Sequence, residues 1–126
     1  MYQHDHRRSR RIGMPEDVLA GTKSIDQVCG IVDDLVAAGD EPHLLTRLTD
    51  EQIVALESRH GDRLDVDRVS RPAHLQGTLA ARSGTVTVVA AGTSDEAVAR
   101  EAVRTLEFSG VTSDLIGDVG VAGLWR

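Results

Sequence analysis

The sequence that decides the fold lies at residues 85–95 and reads TVTVVAAGTSD. Its first seven residues are β-branched or small, a composition typical of a strand buried in a parallel sheet. The Gly-Thr-Ser-Asp that follows predicts a turn into a helix, with Thr93 and Glu96 forming a capping box. Gly110 would end that helix, and residues 115–119 would form a second, parallel strand. Residues 84–126 therefore predict a β-α-β unit of a parallel sheet.

A different pattern precedes this unit in residues 1–70. Ser24 and Thr49 each stand three residues before a glutamine, which predicts two capped helices that both end at a glycine. Residues 43–46 are short and apolar, and residues 64–69 alternate apolar with polar side chains, so both segments predict strands. The first 70 residues therefore predict a small α/β domain, and the whole chain belongs to the α/β class.

Residues 71–83 show neither the helical nor the strand period of apolar side chains, and they contain Pro72 and Gly77. They therefore predict a linker between the two units. The chain of 126 residues is long enough for one compact domain or two very small ones. Two parallel strands and one helix leave one face and both edges of a sheet uncovered. We therefore expect residues 84–126 to be the truncated start of a larger parallel-sheet domain. Either a partner chain, as a second copy or a complementing chain, completes the fold, or the sequence is the front portion of a longer ancestral protein.

Charge and composition exclude several classes of function. Fourteen Lys and Arg against 20 Asp and Glu give a net charge of −6, and the chain has three aromatic residues, so nucleic acid is not expected as a partner. The longest apolar runs are far shorter than a membrane span, so no membrane is expected either. The single cysteine, Cys29, cannot form an internal disulfide, which indicates a reducing cytoplasm. The histidines are scattered, and we predict neither a metal site nor a cofactor.

The turn after the first strand of the β-α-β unit is the first candidate binding site. Gly92 lets a ligand approach the backbone, and the amides at a helix start can bind phosphate. Thr93 and Ser94 can donate hydroxyl hydrogen bonds, and Asp95 can accept one from a ribose hydroxyl. The alternative is an ordinary capped helix start that binds nothing, because every strand-helix crossover needs such a turn.

The loop after the second strand should lie beside this turn, because parallel strands end at the same edge of a sheet. Arg126 in that loop is suited to a bidentate phosphate contact, although a residue at this position is as readily explained as solvated. The arginines within residues 7–11 leave the same two readings open, phosphate contact or a solvated terminal segment. We therefore predict Gly92, Thr93, Ser94, Asp95 and Arg126 as substrate-binding residues.

Five short motifs in a fixed order resemble the N-terminal half of the LarB family of nickel pincer cofactor biosynthesis proteins. That family is related to PurE, the aminoimidazole ribonucleotide (AIR) carboxylase of purine synthesis. The motif pair around residues 90–95 and 118–123 is the most specific. The motifs are Arg8-x-x-Arg11-x-Gly13-x-Pro15-Glu16, Gly21-x-Lys23, Leu45-Thr46-Arg47, Ala90-Ala91-Gly92-Thr93-Ser94-Asp95 and Asp118-Val119-Gly120-Val121-Ala122-Gly123-Leu124.

This resemblance implies a reaction and a set of partners. Proteins of the family carboxylate the pyridinium ring of nicotinic acid adenine dinucleotide, using bicarbonate or carbon dioxide, and hydrolyse its phosphoanhydride to release AMP. By similarity to PurE, Asp95 would contact ribose beside Thr93 and Ser94, Arg126 would bind phosphate, and the protein would form a homo-oligomer. Whether this chain itself catalyses the reaction stays open; the alternative is a noncatalytic fragment that binds a nucleotide or a partner chain.

Overall fold

The computed structural model describes residue 5 and residues 7–120. Within this part the chain forms an α/β fold with two separate sheets. In chain order the elements are α1 Arg8–Ile12, β1 Val18–Leu19, α2 Ile25–Ala38, β2 His43–Thr46, α3 Asp50–His60, β3 Leu64–Val66, β4 Ala73–Leu75, β5 Thr85–Val89, α4 Glu96–Phe108 and β6 Thr112–Ile116, with 3-10 turns at Gly61–Arg63 and Thr93–Asp95.

The first sheet has four strands in the order β1-β2-β4-β3. β1 runs parallel to β2, whereas β4 is antiparallel to both β2 and β3. α2 and α3 pack together and bury an aliphatic core against the sheet, as the shortage of aromatic residues requires. Cys29 is 2% exposed in this core and acts as a small apolar side chain. The other core residues are Val18, Ala20, Val28, Ile31, Val32, Leu35, Leu45, Leu48, Ile53, Leu56, Ala73 and Leu75.

Both helices of this unit begin at the predicted capping boxes. The Ser24 Oγ accepts the Gln27 N–H at 3.1 Å, while the Gln27 side chain accepts the Ser24 N–H at 2.9 Å. Thr49 and Gln52 form the same reciprocal pair at 3.2 and 2.9 Å. The buried Gln52 amide also donates to the carbonyls of Ala20 and Lys23, at 3.1 and 2.8 Å, and so fixes the loop that follows β1.

The structure corrects the predicted linker at residues 71–83. Residues 73–75 form β4, a fully buried strand in the middle of the first sheet. Three residues are too few to show a period, and this strand is stabilised by its pairing with β2 and β3 on either side. Residues 76–84 contain no helix or strand, and they run beside the end of α4, where the Leu79 N–H donates to the Phe108 carbonyl at 2.8 Å.

The second sheet contains β5 and β6, paired in parallel from Thr85 with Thr112 to Val89 with Ile116. β6 therefore starts three residues before the predicted strand at 115–119. The sequence pattern missed these first residues because they are polar and lie in an exposed sheet. β5 is largely exposed as well, since one helix covers only part of one face. The parallel β-α-β unit is confirmed, while the division of the chain into domains at 1–70 and 84–126 stays a prediction.

The predicted capping box at Thr93 and Glu96 is wrong. Thr93 lies in a 3-10 turn, and the residue that precedes α4 is Asp95, whose side chain makes no capping hydrogen bond. The turn itself satisfies the amides that a capping side chain would otherwise bind. The helix begins at Glu96, two residues later than a cap at Thr93 would place it, and it ends before Gly110 as the sequence predicts, with Ser109 as the C-cap residue.

Candidate functional site

A cleft of about 290 Å³ opens at the carboxyl ends of β5 and β6, where the start of α4 meets both strands. Its floor is apolar and its rim is formed by two turns and the first residues of the helix. The residues that line it are Ala90, Gly92, Thr93, Glu96, Ala99, Leu115, Gly117 and Asp118.

Backbone pairing beyond the strands holds the two turns side by side. The Ala90 N–H donates to the Ile116 carbonyl at 2.8 Å, which extends the β5–β6 ladder by one residue. The segment that follows β6 then donates back, from Val119 to the Ala90 carbonyl at 3.4 Å and from Gly120 to the Ala91 carbonyl at 2.8 Å. The loop after the second strand therefore lies beside the turn after the first, which is the arrangement that parallel pairing predicts.

The structure brings two of the predicted binding residues into this cleft. Gly92 is extended, with φ −146° and ψ 172°, and it lines the cleft together with Thr93. Ser94 and Asp95 lie in the adjoining 3-10 turn, are exposed, and do not line the cleft. Arg126 lies outside the described residues.

Hydrogen bonds within the turn change what it can offer to a ligand. The Asp95 N–H donates to the Gly92 carbonyl at 3.1 Å, and the Glu96 N–H donates to the Thr93 carbonyl. These two amides are engaged by the protein and are not free to bind a phosphate. The turn is therefore a poorer phosphate cradle than its sequence predicts.

Two carboxylates on the cleft wall were missed by the sequence analysis. Glu96 is the first residue of α4, and Asp118 follows β6 with φ 55°, in the left-handed region that aspartate tolerates better than most residues. Asp118 belongs to one of the five motifs, which was the one signal in the sequence that pointed to it. Carboxylates repel phosphate but accept hydrogen bonds from hydroxyl groups and attract cations. The described wall therefore favours a sugar or a cationic group over a phosphate.

Two of the remaining motifs, Gly21-x-Lys23 and Leu45-Thr46-Arg47, lie together at the ends of β1 and β2. A methyl group on Gly21 would lie 3.3 Å from the Cβ and from the carbonyl oxygen of Arg47, so the two loops are in close contact. Arg47 itself has φ 57°, and the Lys23 Nζ donates to the Leu19 carbonyl at 2.9 Å. These motifs shape the first sheet and do not line the cleft.

Two further features bear on the kind of site. Among the described residues, no group of three His, Cys, Asp or Glu side chains is arranged to hold a metal ion. None of the helices in this part of the chain has the length and apolar character needed to cross a membrane.

Comparisons with known proteins point in one direction. The family model of the LarB/PurE-like N-terminal domain matches residues 1–76. An uncharacterized protein of Methanocaldococcus jannaschii is 32% identical over 128 residues, which cover 97% of this chain and 50% of that protein. The chain therefore spans about half the length of the curated relative that it matches.

Proposed function

Because this chain belongs to the LarB family, whose N-terminal domain it contains, we propose that it acts in the carboxylation of the pyridinium ring of nicotinic acid adenine dinucleotide. In this proposal carbon dioxide, drawn from bicarbonate, forms a carbon–carbon bond with the ring, and the ring carbon loses its proton. Hydrolysis of the phosphoanhydride consumes one water molecule and releases AMP. The observation that carries the proposal is the family match over residues 1–76.

The cleft at the ends of β5 and β6 supports a role in nucleotide binding. It lies where open parallel sheets bind ligands, and Gly92 leaves its floor accessible to a flat group. Thr93 lines the cleft and its hydroxyl can donate to a ligand, and Glu96 and Asp118 can accept hydrogen bonds from ribose hydroxyls. Their negative charge also favours a positively charged pyridinium ring.

In this proposal, the predicted residues that do not line the cleft contact the ligand from outside it. Asp95 lies one residue before α4 and would contact a ribose hydroxyl from the rim. The phosphate would lie away from the two carboxylates, and Arg126 remains the proposed residue that binds it. The helix start and this arginine would then act together on opposite ends of one mononucleotide.

Chromatography tests the catalytic proposal directly. The chain is supplied with nicotinic acid adenine dinucleotide and bicarbonate, and the mixture is analysed for AMP and for a carboxylated mononucleotide. We expect both products to depend on bicarbonate and to fall at least tenfold in Asp118→Asn, a change that keeps the size of the side chain. Glu101→Gln, on α4 but away from the cleft, serves as the matched control. Equal activity in Asp118→Asn and in the unmodified chain would remove Asp118 from the site.

A noncatalytic binding module is the second candidate. The observation that favours it is that, among the described residues that line the cleft, the ionisable groups are two carboxylates, with no thiol, imidazole or amine to act as a nucleophile. Calorimetry with AMP and with nicotinate mononucleotide distinguishes the two: this candidate predicts heat of binding without any turnover. No heat with either ligand, and no effect of Asp95→Ala, would exclude the nucleotide version and leave a module that binds a partner chain.

We also propose that the second sheet associates with another polypeptide, most simply a second copy of this chain. β5 and β6 pair only with each other in the described structure, so each presents one unpaired backbone edge. Apolar side chains remain exposed on the same sheet, with Val89 at 62% and Ile116 at 47%. Covering such a surface is a strong driving force for association.

A further inference from the structure

α4 contacts both sheets. Its first turns line the cleft through Glu96 and Ala99, beside β5 and β6. Further along, Arg100, Arg104 and Phe108 follow at intervals of four residues and so share the helix face that meets the first sheet. A movement of α4 against the first sheet would therefore change the shape of the cleft.

The contact of α4 with the first sheet includes several charged side chains, most of them partly exposed at its edge. The Arg104 guanidinium donates to the Asp65 carbonyl at 2.9 Å, lies 3.1 Å from its carboxylate, and contacts Glu107 at 3.0 Å. Arg100 lies 3.3 Å from Asp67. The Nε atoms of both arginines are buried without a hydrogen-bond partner in the described structure, which costs stability. These two unsatisfied nitrogens therefore weaken the contact.

His74 lies at the centre of this contact. It belongs to β4, is 2% exposed, and its ring lies against Phe108 with the ring centres 5.6 Å apart. Its Nε2 lies 2.9 Å from the Arg104 carbonyl, and a carbonyl only accepts, so Nε2 carries the proton. The Nδ1 of the neutral ring therefore holds a lone pair, which lies 4.0 Å from the Asp65 carboxylate. A second proton on this ring would have to enter a buried site.

Charged groups from two neighbouring elements face the ring. α4 contributes Arg104 and Glu107, and β3 contributes Asp65, while the residue paired with His74 on β2 is the apolar Leu44. Burial lowers the pKa of His74 below its ordinary 6.5, and the Arg104 charge lowers it further. The hydrogen bond to the Arg104 carbonyl and the charges of Asp65 and Glu107 oppose this without reversing it.

A cavity of about 410 Å³ opens beside His74. Arg63, Asp62, Asp65 and Asp40 also line it, so further charges of both signs lie along the same cavity wall. Water that enters this cavity would reach the ring once α4 moves. The protonated ring would then be solvated, which is the state that the closed contact disfavours.

We propose that His74 makes the docking of α4 onto the first sheet depend on the proton concentration, and that α4 transmits this dependence to the cleft. When α4 is docked, the buried neutral ring excludes a second proton. When α4 is released, the ring is solvated and takes up a proton with ordinary affinity. The released state therefore gains population as the pH falls below 6.5, by up to about tenfold per pH unit, until the docked ring is protonated as well.

Amide hydrogen exchange of the whole chain tests this proposal. Exchange rates of α4 amides, corrected for intrinsic rates, are measured at pH 7.5, 6.5 and 5.5, with α2 amides as the internal reference. We expect α4 exchange to rise by up to about fivefold between pH 6.5 and 5.5 relative to α2. His74→Gln keeps a donor for the Arg104 carbonyl but has no titrating group, so its α4 exchange should not depend on pH. His60→Gln, which removes a histidine on α3, should behave as the unmodified chain does.

A pH response that persists unchanged in His74→Gln, or the absence of any response in the unmodified chain, would overturn the proposal. If His74→Gln does not fold, NMR titration of the His74 ring in the unmodified chain decides the question. A midpoint clearly below 6.5 supports the proposal, and a midpoint at or above 6.5 contradicts it. None of these outcomes depends on the proposed reaction.

Discussion

Gly110 is the residue whose replacement should damage the fold most. It has φ +77°, and a methyl group at this position would lie 2.1 Å from the Ala80 carbonyl oxygen and 2.8 Å from its carbonyl carbon. Both contacts are with backbone, so no side chain can move aside. We expect Gly110→Ala to lower the free energy of unfolding by about 3 kcal/mol, from the left-handed backbone and the forced displacement of residues 80–81 together. Urea denaturation followed by circular dichroism measures this difference.

Gly30 provides the matched control for that substitution. It lies inside α2, is exposed, and a methyl group there would have no neighbour within 4 Å. Because alanine favours a helix interior, Gly30→Ala should raise the free energy of unfolding by about 0.5 to 1 kcal/mol. Similar losses at Gly30 and Gly110 would contradict the contact of Gly110 with residue 80.

The pair formed by Asp33 and His60 joins α2 to the end of α3. The Asp33 Oδ1 lies 2.6 Å from the His60 Nε2, and the Arg59 guanidinium lies 2.7 Å from the other carboxylate oxygen. The hydrogen bond from His60 lowers the pKa of Asp33 below its ordinary 3.8, and the Arg59 charge adds to this. Since the folded pKa is depressed, the pair stabilises the fold above pH 3.8, and this contribution is lost as the pH falls through the folded pKa.

Carboxyl NMR titration checks this assignment. We expect the midpoint of Asp33 to lie below 3.8 in the unmodified chain and to rise toward 3.8 in Arg59→Gln, with a larger rise in His60→Ala. The Asp33 side chain is 44% exposed, so the effect on overall stability should be small. An unchanged Asp33 midpoint in His60→Ala would show that the hydrogen bond does not form in solution.

At the scale of elements, the starts of α2, α3 and α4 are of two kinds. Ser24 and Thr49 accept amide hydrogen bonds at the starts of α2 and α3, whereas Asp95 makes no such bond at the start of α4. We expect Ser24→Ala and Thr49→Ala each to cost about 1 kcal/mol in thermal or urea denaturation. Asp95→Ala should cost no more than a few tenths, from its charge near the helix start. A loss of about 1 kcal/mol in Asp95→Ala would show that the Asp95 side chain caps α4 in solution.

The sequence predicted the elements whose signals are local. The serine or threonine and the glutamine of each capping box lie three residues apart and bond to one another, so their sequence is sufficient to place α2 and α3. β4 could not be found in this way, because its three residues show no period of their own and are held by pairing with β2 and β3 on either side in the sheet. The start of β6 was missed for a related reason, since Thr112 pairs with Thr85 in a sheet that is too exposed to require an apolar pattern.

The candidate site also has features that the sequence predicts and features that depend on the folded structure. The sequence predicted that the turn at Gly92 and the loop after the next strand lie side by side, because parallel pairing alone requires it. The two carboxylates on the cleft wall could not be derived from the sequence. Glu96 and Asp118 line the same cleft only once α4 and the loop after β6 are in place. Likewise, nothing local in residues 96–108 predicts that Phe108 is buried against His74.

For the whole molecule, the exposed second sheet determines how the chain behaves in solution. Val89 and Ile116 are paired across β5 and β6, so they share one exposed face. We expect the unmodified chain to associate with itself as its concentration rises, and Ile116→Lys to shift the equilibrium toward the monomer at least tenfold. Sedimentation velocity over a range of concentrations measures both.

Val54→Lys is the control for this experiment, because Val54 is 63% exposed on α3 and lies far from the second sheet in the chain. It should leave the association unchanged. An unmodified chain that stays monomeric at every concentration, or an equal shift in Val54→Lys, would contradict association through β5 and β6.

The single cysteine of the sequence, buried on α2, is a natural chemical probe of how often the core of this protein opens. Only the thiolate of an accessible cysteine reacts with an alkylating reagent such as iodoacetamide, and Cys29 is sealed beneath the aliphatic side chains of the first sheet. Alkylation therefore requires the core to open. Its rate, measured by mass spectrometry as a mass increase, reports how often the core opens, without any engineered label. Because α4 lies outside this core, a ligand that stabilises only this helix would leave the alkylation rate of Cys29 unchanged.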